Sequence, residues 1–198
     1  MKAKRKLANL GQFRKSILFT VEDAKGAGVS SGLLAYYVRK GNLRRLSRGI
    51  YRDAKAECKL DLRWEDLVVA ALSIPDGAIC LVSALAIYNL TEEIPREHWI
   101  AIPHRLRAPH RNGIRGVRMR NMSLGKTEMT LGGGRISIFD RERTLVDSFR
   151  YLGRETAIKA LKMYFSESGR YKPDIQKLRA YARKLRVPIE PYLITVTV

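Results

Sequence analysis

Hydroxyls and cations concentrate between Ser30 and Lys40, where Ser30, Ser31, Tyr36, Tyr37, Arg39 and Lys40 stand away from an apolar Leu34/Val38 stripe. Such side chains donate to phosphate oxygens and to base edges, and an arginine reads guanine through two parallel hydrogen bonds. Arg39, near the end of its segment, is better placed for phosphate than for a base. Arg44, Arg45, Arg48 and Arg52 follow at once and suit a duplex backbone or minor groove. Farther on, Arg105, Arg107, Arg111, Arg115, Arg118 and Arg120 occupy a stretch with no carboxylate between Glu97 and Glu128. Arg118 and Arg120 alternate with Val117 and Met119, so one face of a strand there is basic. This is a second polyanion surface, able to extend a DNA footprint or to bind RNA. Its scarcity of interleaved aromatics argues against a base-stacking platform for single strands.

Other groupings invite enzymatic chemistry. Asp140, Glu142 and Asp147 could hold the metal of a nuclease, but a structural account of them is better. Asp140 caps a helix, Glu142 suits its positive N-terminus, and Arg143 pairs with Asp147 four residues on. His98, His104 and His110 recur every six residues, which is neither a helical pair nor a zinc-finger spacing. Gly132-Gly133-Gly134 lacks the Lys-Ser/Thr of a phosphate loop and reads as a hairpin turn. Cys58 and Cys80 form neither a disulfide framework nor a zinc site, and fit a reducing cytoplasm. No catalytic residue, metal or cofactor is expected.

The elements that must position these residues can be read from punctuation. Thr20 with Asp23 forms a capping box opening a short helix at Val21, with Phe13, Ile17 and Leu18 in a supporting helix before it. The glycines at 26 and 28 stop that helix, and Ser30 caps a second one closed by Lys40-Gly41. Two helices around a tight glycine turn make a helix-turn-helix. Residues 43–52 form a hairpin around Ser47-Arg48-Gly49, so the unit reads as a winged helix. A polar linker, 53–59, leads to a helix capped by Asp61 and running from Trp64 to Leu72, then a Pro75-Asp76-Gly77 turn. Ser83 begins a short buried helix. Strands are expected at 98–102, 117–119, 128–131 and 135–139, and helices at 140–151, 155–168 and 174–185. On the last of these, Lys177, Arg183, Lys184 and Arg186 flank an Ile175/Leu178/Ala182/Leu185 stripe.

Charge narrows the partner class. Over 198 residues, 38 Lys and Arg face 19 Asp and Glu, for a formal net charge of +19. Thirteen of these cations, against three carboxylates, fall in residues 1–53. Such an excess repels itself unless a polyanion neutralises it, and nucleic acid repays binding through counterion release. No apolar run reaches the roughly 18–20 residues of a membrane span, and no apolar segment follows the basic N-terminus to make a signal peptide.

Phe19-Thr20-Val21-Glu22-Asp23-Ala24, Gly28-Val29-Ser30, Leu34, Val38, Gly41-Asn42-Leu43 and Arg45-Leu46-Ser47-Arg48-Gly49-Ile50-Tyr51 resemble the winged-helix domain of AbiEi-type antitoxins. Ser83-Ala84-Leu85, Ile100-Ala101-Ile102-Pro103 and the block from Ile138 to Asp147 resemble that family's second domain. The resemblance implies an autorepressor that binds inverted repeats in its own promoter. It also implies a type IV toxin–antitoxin system of viral defence, in which the antitoxin opposes a co-encoded nucleotidyltransferase toxin without a stable complex.

The expected fold class is α+β. A winged helix-turn-helix DNA-binding domain spans 1–55, and a basic domain of mixed strands and helices spans 60–198. Its partner is double-stranded promoter DNA, bound as a dimer because paired half-sites require two copies. The rivals are an RNA-binding regulator using the Arg105–Arg120 surface and a metal-dependent nuclease.

Overall fold

The computed structural model describes residues 18–54, 64–107, 111–166 and 172–197. The chain divides into an N-terminal α+β unit and a mixed α/β unit. The first comprises the described residues up to Pro75 with Glu128–Ile136; the second comprises Asp76–Thr127 and those from Ser137 onward.

In the first unit, β1 (Leu18–Thr20) runs into α1 (Val21–Gly26) through the capping box. The Asp23 amide donates to Thr20 Oγ1 at 3.1 Å, and the Thr20 amide donates to Asp23 Oδ2 at 2.8 Å. Gly28 turns the chain at φ +77°, where a side chain would be strained. Ser30 then caps α2 (Ser31–Arg39), its Oγ accepting from the Leu33 amide at 3.3 Å. After Gly41, β2 (Leu43–Ser47) and β3 (Ile50–Asp53) form an antiparallel hairpin that turns at Gly49, φ +78°. The two helices are sealed by a small core of Phe19, Ala24, Val29, Leu34, Tyr37 and Leu43.

Leu18 corrects the expected supporting helix. It lies in β1, antiparallel to β3 opposite Arg52, in a three-stranded sheet ordered β1-β3-β2. An apolar run as short as Ile17-Leu18-Phe19 suits a buried strand as well as a helical face, and pairing to β3 decides it. Phe13 and Ile17, most of the linker, Asp61, Cys58, His110 and residues 167–168 lie outside the described residues. Helix α3 (Glu65–Leu72) has Trp64 at its cap position with no side-chain hydrogen bond there.

Strands β4 (Ala78–Ile79), β5 (His98–Pro103), β6 (Ile114–Met119), β7 (Lys126–Leu131) and β8 (Gly134–Phe139) form one sheet, ordered β6-β5-β4-β8-β7. Strands β4 to β6 belong to the second unit, whereas Glu128–Ile136, the greater part of the β7–β8 hairpin, belong to the first. Strand β6 pairs with β5 in parallel and forms one edge. Helix α4 (Leu81–Ile87) begins two residues before the expected Ser83. That serine is fully buried, and its Oγ accepts the Trp99 amide at 2.9 Å, tying α4 to β5. Helices α5 (Arg141–Tyr151), α6 (Arg154–Ser166), α7 (Ile175–Leu185) and α8 (Glu190–Thr197) complete the second unit. Leu85, Leu145, Val146, Leu161, Leu178, Ala182 and Leu193 pool into its helical core. Gly132 and Gly133 turn the β7–β8 hairpin at φ +52° and +72°. None of the helices among the described residues is long and apolar enough to cross a membrane.

Candidate nucleic-acid interface

Helix α2 has two unlike faces. Leu34 is fully buried, and Tyr37, three residues on, is only 4% exposed within the same core. This corrects the placement of Tyr37 among outward residues: a residue at i+3 shares the face of its partner, leaving Val38 on the flank. Ser31, Gly32, Ala35, Tyr36, Arg39 and Lys40 form the outward face. Tyr36 is 46% exposed, and its ring meets Tyr37 edge-on at a centroid distance of 5.5 Å. The buried tyrosine thereby steadies the exposed one. Ser30 spends one acceptor position of its hydroxyl on the helix cap.

The hairpin, which meets α2 through β2, adds cations within the same unit. Arg44, Arg45 and Arg48 are exposed, and Arg45 Nε donates weakly to the Ser47 carbonyl at 3.4 Å. Among the described residues, none of Arg39, Lys40, Arg44, Arg45 or Arg48 has a carboxylate partner. Arg52 differs. It is half-buried and pairs with Glu65 on α3 at 2.5 Å, so its charge is already neutralised inside the unit. Lys25, exposed in the last turn of α1, is a further cation that the sequence pattern did not single out, and it did not single out the small exposed residues Gly32 and Ala35 of α2 either. Gly32 stands four residues before Tyr36, and Ala35 four from both Ser31 and Arg39, and this spacing carried the signal.

The six arginines from Arg105 to Arg120 are all exposed and belong to the second unit. Arg118 and Arg120 stand out while Met119 is buried, as the alternation required. Arg115 lies over the Trp99 ring at 4.3 Å and reaches Glu97 at 3.6 Å.

The carboxylates of α5 are engaged by protein cations and hydroxyls. Asp140 Oδ1 accepts the Arg143 amide at 2.8 Å, and its Oδ2 meets Lys177 Nζ at 3.1 Å and the Tyr181 hydroxyl at 3.0 Å. Glu142 receives the Tyr164 hydroxyl at 2.6 Å and Lys177 at 2.9 Å. Burial opposes the Lys177 charge, but its bonds to Glu142 and Asp140 outweigh that and raise its pKa above the usual lysine range. Burial and the Asp140 carboxylate push the Tyr181 phenol up to about 12. Lys177 thus occupies the position between Asp140 and Glu142 that a metal would need, and is not the free surface cation its flanking position suggested. Asp147 faces Arg143, at 2.7 Å. Among the described residues no group of three His, Cys, Asp or Glu is arranged to hold a metal ion.

No curated protein matches the chain. Ser83 to Leu85, Ile100 to Pro103 and Ile138 to Asp147 lie beyond the stretch that a family model matches, which ends inside β3. Residues 13–52, which contain α1, the glycine turn, α2 and nearly all of the hairpin, match the family described as transcriptional regulator, AbiEi antitoxin, and the chain therefore carries a domain of that family in its N-terminal part.

Proposed function

We propose that the first unit is a winged helix-turn-helix that binds duplex DNA in a sequence-specific manner, and that the protein is an autorepressor acting as the antitoxin of a type IV toxin–antitoxin system. The observation that carries this reading is the row of exposed cations without carboxylate partners among the described residues, Arg39, Lys40, Arg44, Arg45 and Arg48, inside the segment that matches the regulator family. Helix α2 enters the major groove with Ser31 and Tyr36 toward base edges. Arg39, three residues past Tyr36 on the same exposed face, joins them there rather than holding the phosphate that its place near the helix end suggests, and Gly32 and Ala35 keep that face low enough for close approach. The hairpin is the wing, and its arginines hold phosphates. Two copies engage inverted repeats in the promoter, one on each half-site. The antitoxin role rests on the family's description, and opposition to a co-encoded nucleotidyltransferase toxin is its functional consequence.

Neutralising the wing tests the phosphate role. Arg44→Ala with Arg45→Ala and Arg48→Ala is expected to weaken promoter and scrambled duplex alike. The slope of log K against log salt should become shallower by about 2.7, roughly 0.9 for each phosphate no longer neutralised. Fluorescence anisotropy across a salt series reads both quantities. An unchanged slope would remove the wing from the interface.

A further inference from the structure

The parallel pairing of β5 and β6 sorts the second-unit arginines into unlike groups. Pro103, the last residue of β5, pairs with Met119, the last of β6, and the His104 amide donates to the Met119 carbonyl at 2.9 Å. Arg105 and Arg107 leave one strand at this point, while Arg118 and Arg120 sit at the end of the other. Four exposed arginines therefore gather at one end of a sheet edge, without an ion-pair partner among the described residues. Arg115 lies on the opposite face of β6, because residues three apart on a strand point to opposite sides, and it is occupied with Trp99 and Glu97.

Neighbouring strands lie only about 4.8 Å apart, so arginines that follow two paired strand ends are brought near one another on the scale of the roughly 8 Å Debye length of physiological salt. Surfaces that serve only solubility intersperse both signs. Here no carboxylate occurs in the sequence from His98 to Thr127. Guanidinium groups match phosphate geometry with paired donors.

We propose that Arg105, Arg107, Arg118 and Arg120 form a second nucleic-acid site, which holds the phosphodiester backbone without reading sequence. The site is independent of α2 and the hairpin, and its test uses ligands on which promoter specificity has no bearing.

The test uses the full-length protein and two probes, scrambled duplex DNA and a structured RNA hairpin, titrated across a salt series. Arg118→Ala with Arg120→Ala is compared with Arg183→Ala with Lys184→Ala, an equal charge loss at exposed positions on α7. Arg105→Ala with Arg107→Ala is the second variant, placed in a connection rather than a strand so that folding is not at stake. For either edge variant the expected result is at least about tenfold weaker binding to one or both probes. Where duplex DNA is the probe weakened, its salt slope should be shallower by about 1.8. The α7 control should stay within about twofold of the parent. A loss on both probes identifies the phosphate backbone common to them, and a loss on one identifies which nucleic acid the site holds. Binding by both edge variants equal to that of the parent, or equal to that of the α7 control, overturns the proposal.

Discussion

Replacing Arg143 with methionine is expected to lower the unfolding free energy by about 3–5 kcal/mol at neutral pH, among the largest effects a single side chain can have. Arg143 and Asp147 are each only 1% exposed, paired at 2.7 Å along α5. The same guanidinium donates to the Asn121 carbonyl at 2.9 Å and the Leu124 carbonyl at 2.7 Å, and lies over the Phe139 ring at 4.4 Å. The connection between β6 and β7 is wrapped so closely on this side chain that a Cβ on Gly125 would fall 2.7 Å from the Arg143 Cβ. Methionine fills the volume but leaves the buried Asp147 carboxylate with only the partly exposed Arg150, at 3.9 Å, and takes the guanidinium away from two carbonyls. The double variant Arg143→Met with Asp147→Leu should recover part of the loss, because no uncompensated charge then remains.

The pH dependence has a defined sign. Burial already raises the Asp147 pKa, more than Arg143 lowers it. Without Arg143 the folded-state pKa moves farther above the unfolded value. A carboxyl raised in the folded state favours folding below its unfolded pKa, about 4, and that contribution is lost as pH rises through the folded value. The destabilisation by Arg143→Met should therefore grow from pH 4 to pH 7.5. Urea titrations at the two pH values measure it, and a loss under about 1 kcal/mol at pH 7.5 would contradict the role given to this pair.

The second large effect concerns sequence reading. Tyr36→Ala with Arg39→Ala should weaken promoter binding by about 100-fold or more, at roughly 1–3 kcal/mol per base contact, while scrambled duplex loses only severalfold. Both side chains are exposed, so the melting temperature should hardly move. Tyr37 is the wrong residue for this experiment, because it is buried with Leu34 and its loss would damage the core that orients α2. Equal weakening on both duplexes would leave Tyr36 and Arg39 as general phosphate contacts and move base reading elsewhere.

The N-terminal elements were legible because their signals are local. A capping box, two helix caps and glycines at positive φ each act within four residues, and Thr20, Ser30, Gly41 and Gly49 take the positions their chemistry predicts. Long-range pairing is what stayed hidden. Leu18 joins β1 only because β3 returns beside it, and the two-residue β4 is too short to show alternation, yet it lies at the centre of the five-stranded sheet. Helix α8 follows the last helix expected from the sequence, and Pro191 falls in its first turn, where a proline is tolerated. The candidate site was legible as a composition of cations and less so as a geometry. Sequence alone did not separate Arg52, spent on Glu65, from Arg44, Arg45 and Arg48, and it placed Lys177 on the surface although that residue bridges two carboxylates.

The most direct test of the central claim is a titration of the purified protein on its own upstream promoter, on scrambled duplex of equal length and on structured RNA, all at physiological salt. Sequence-specific repression predicts binding to the promoter roughly a thousandfold tighter than to either competitor. Equal affinity for all three would contradict it, and would reduce the positive charge of the chain to a general attraction for polyanions.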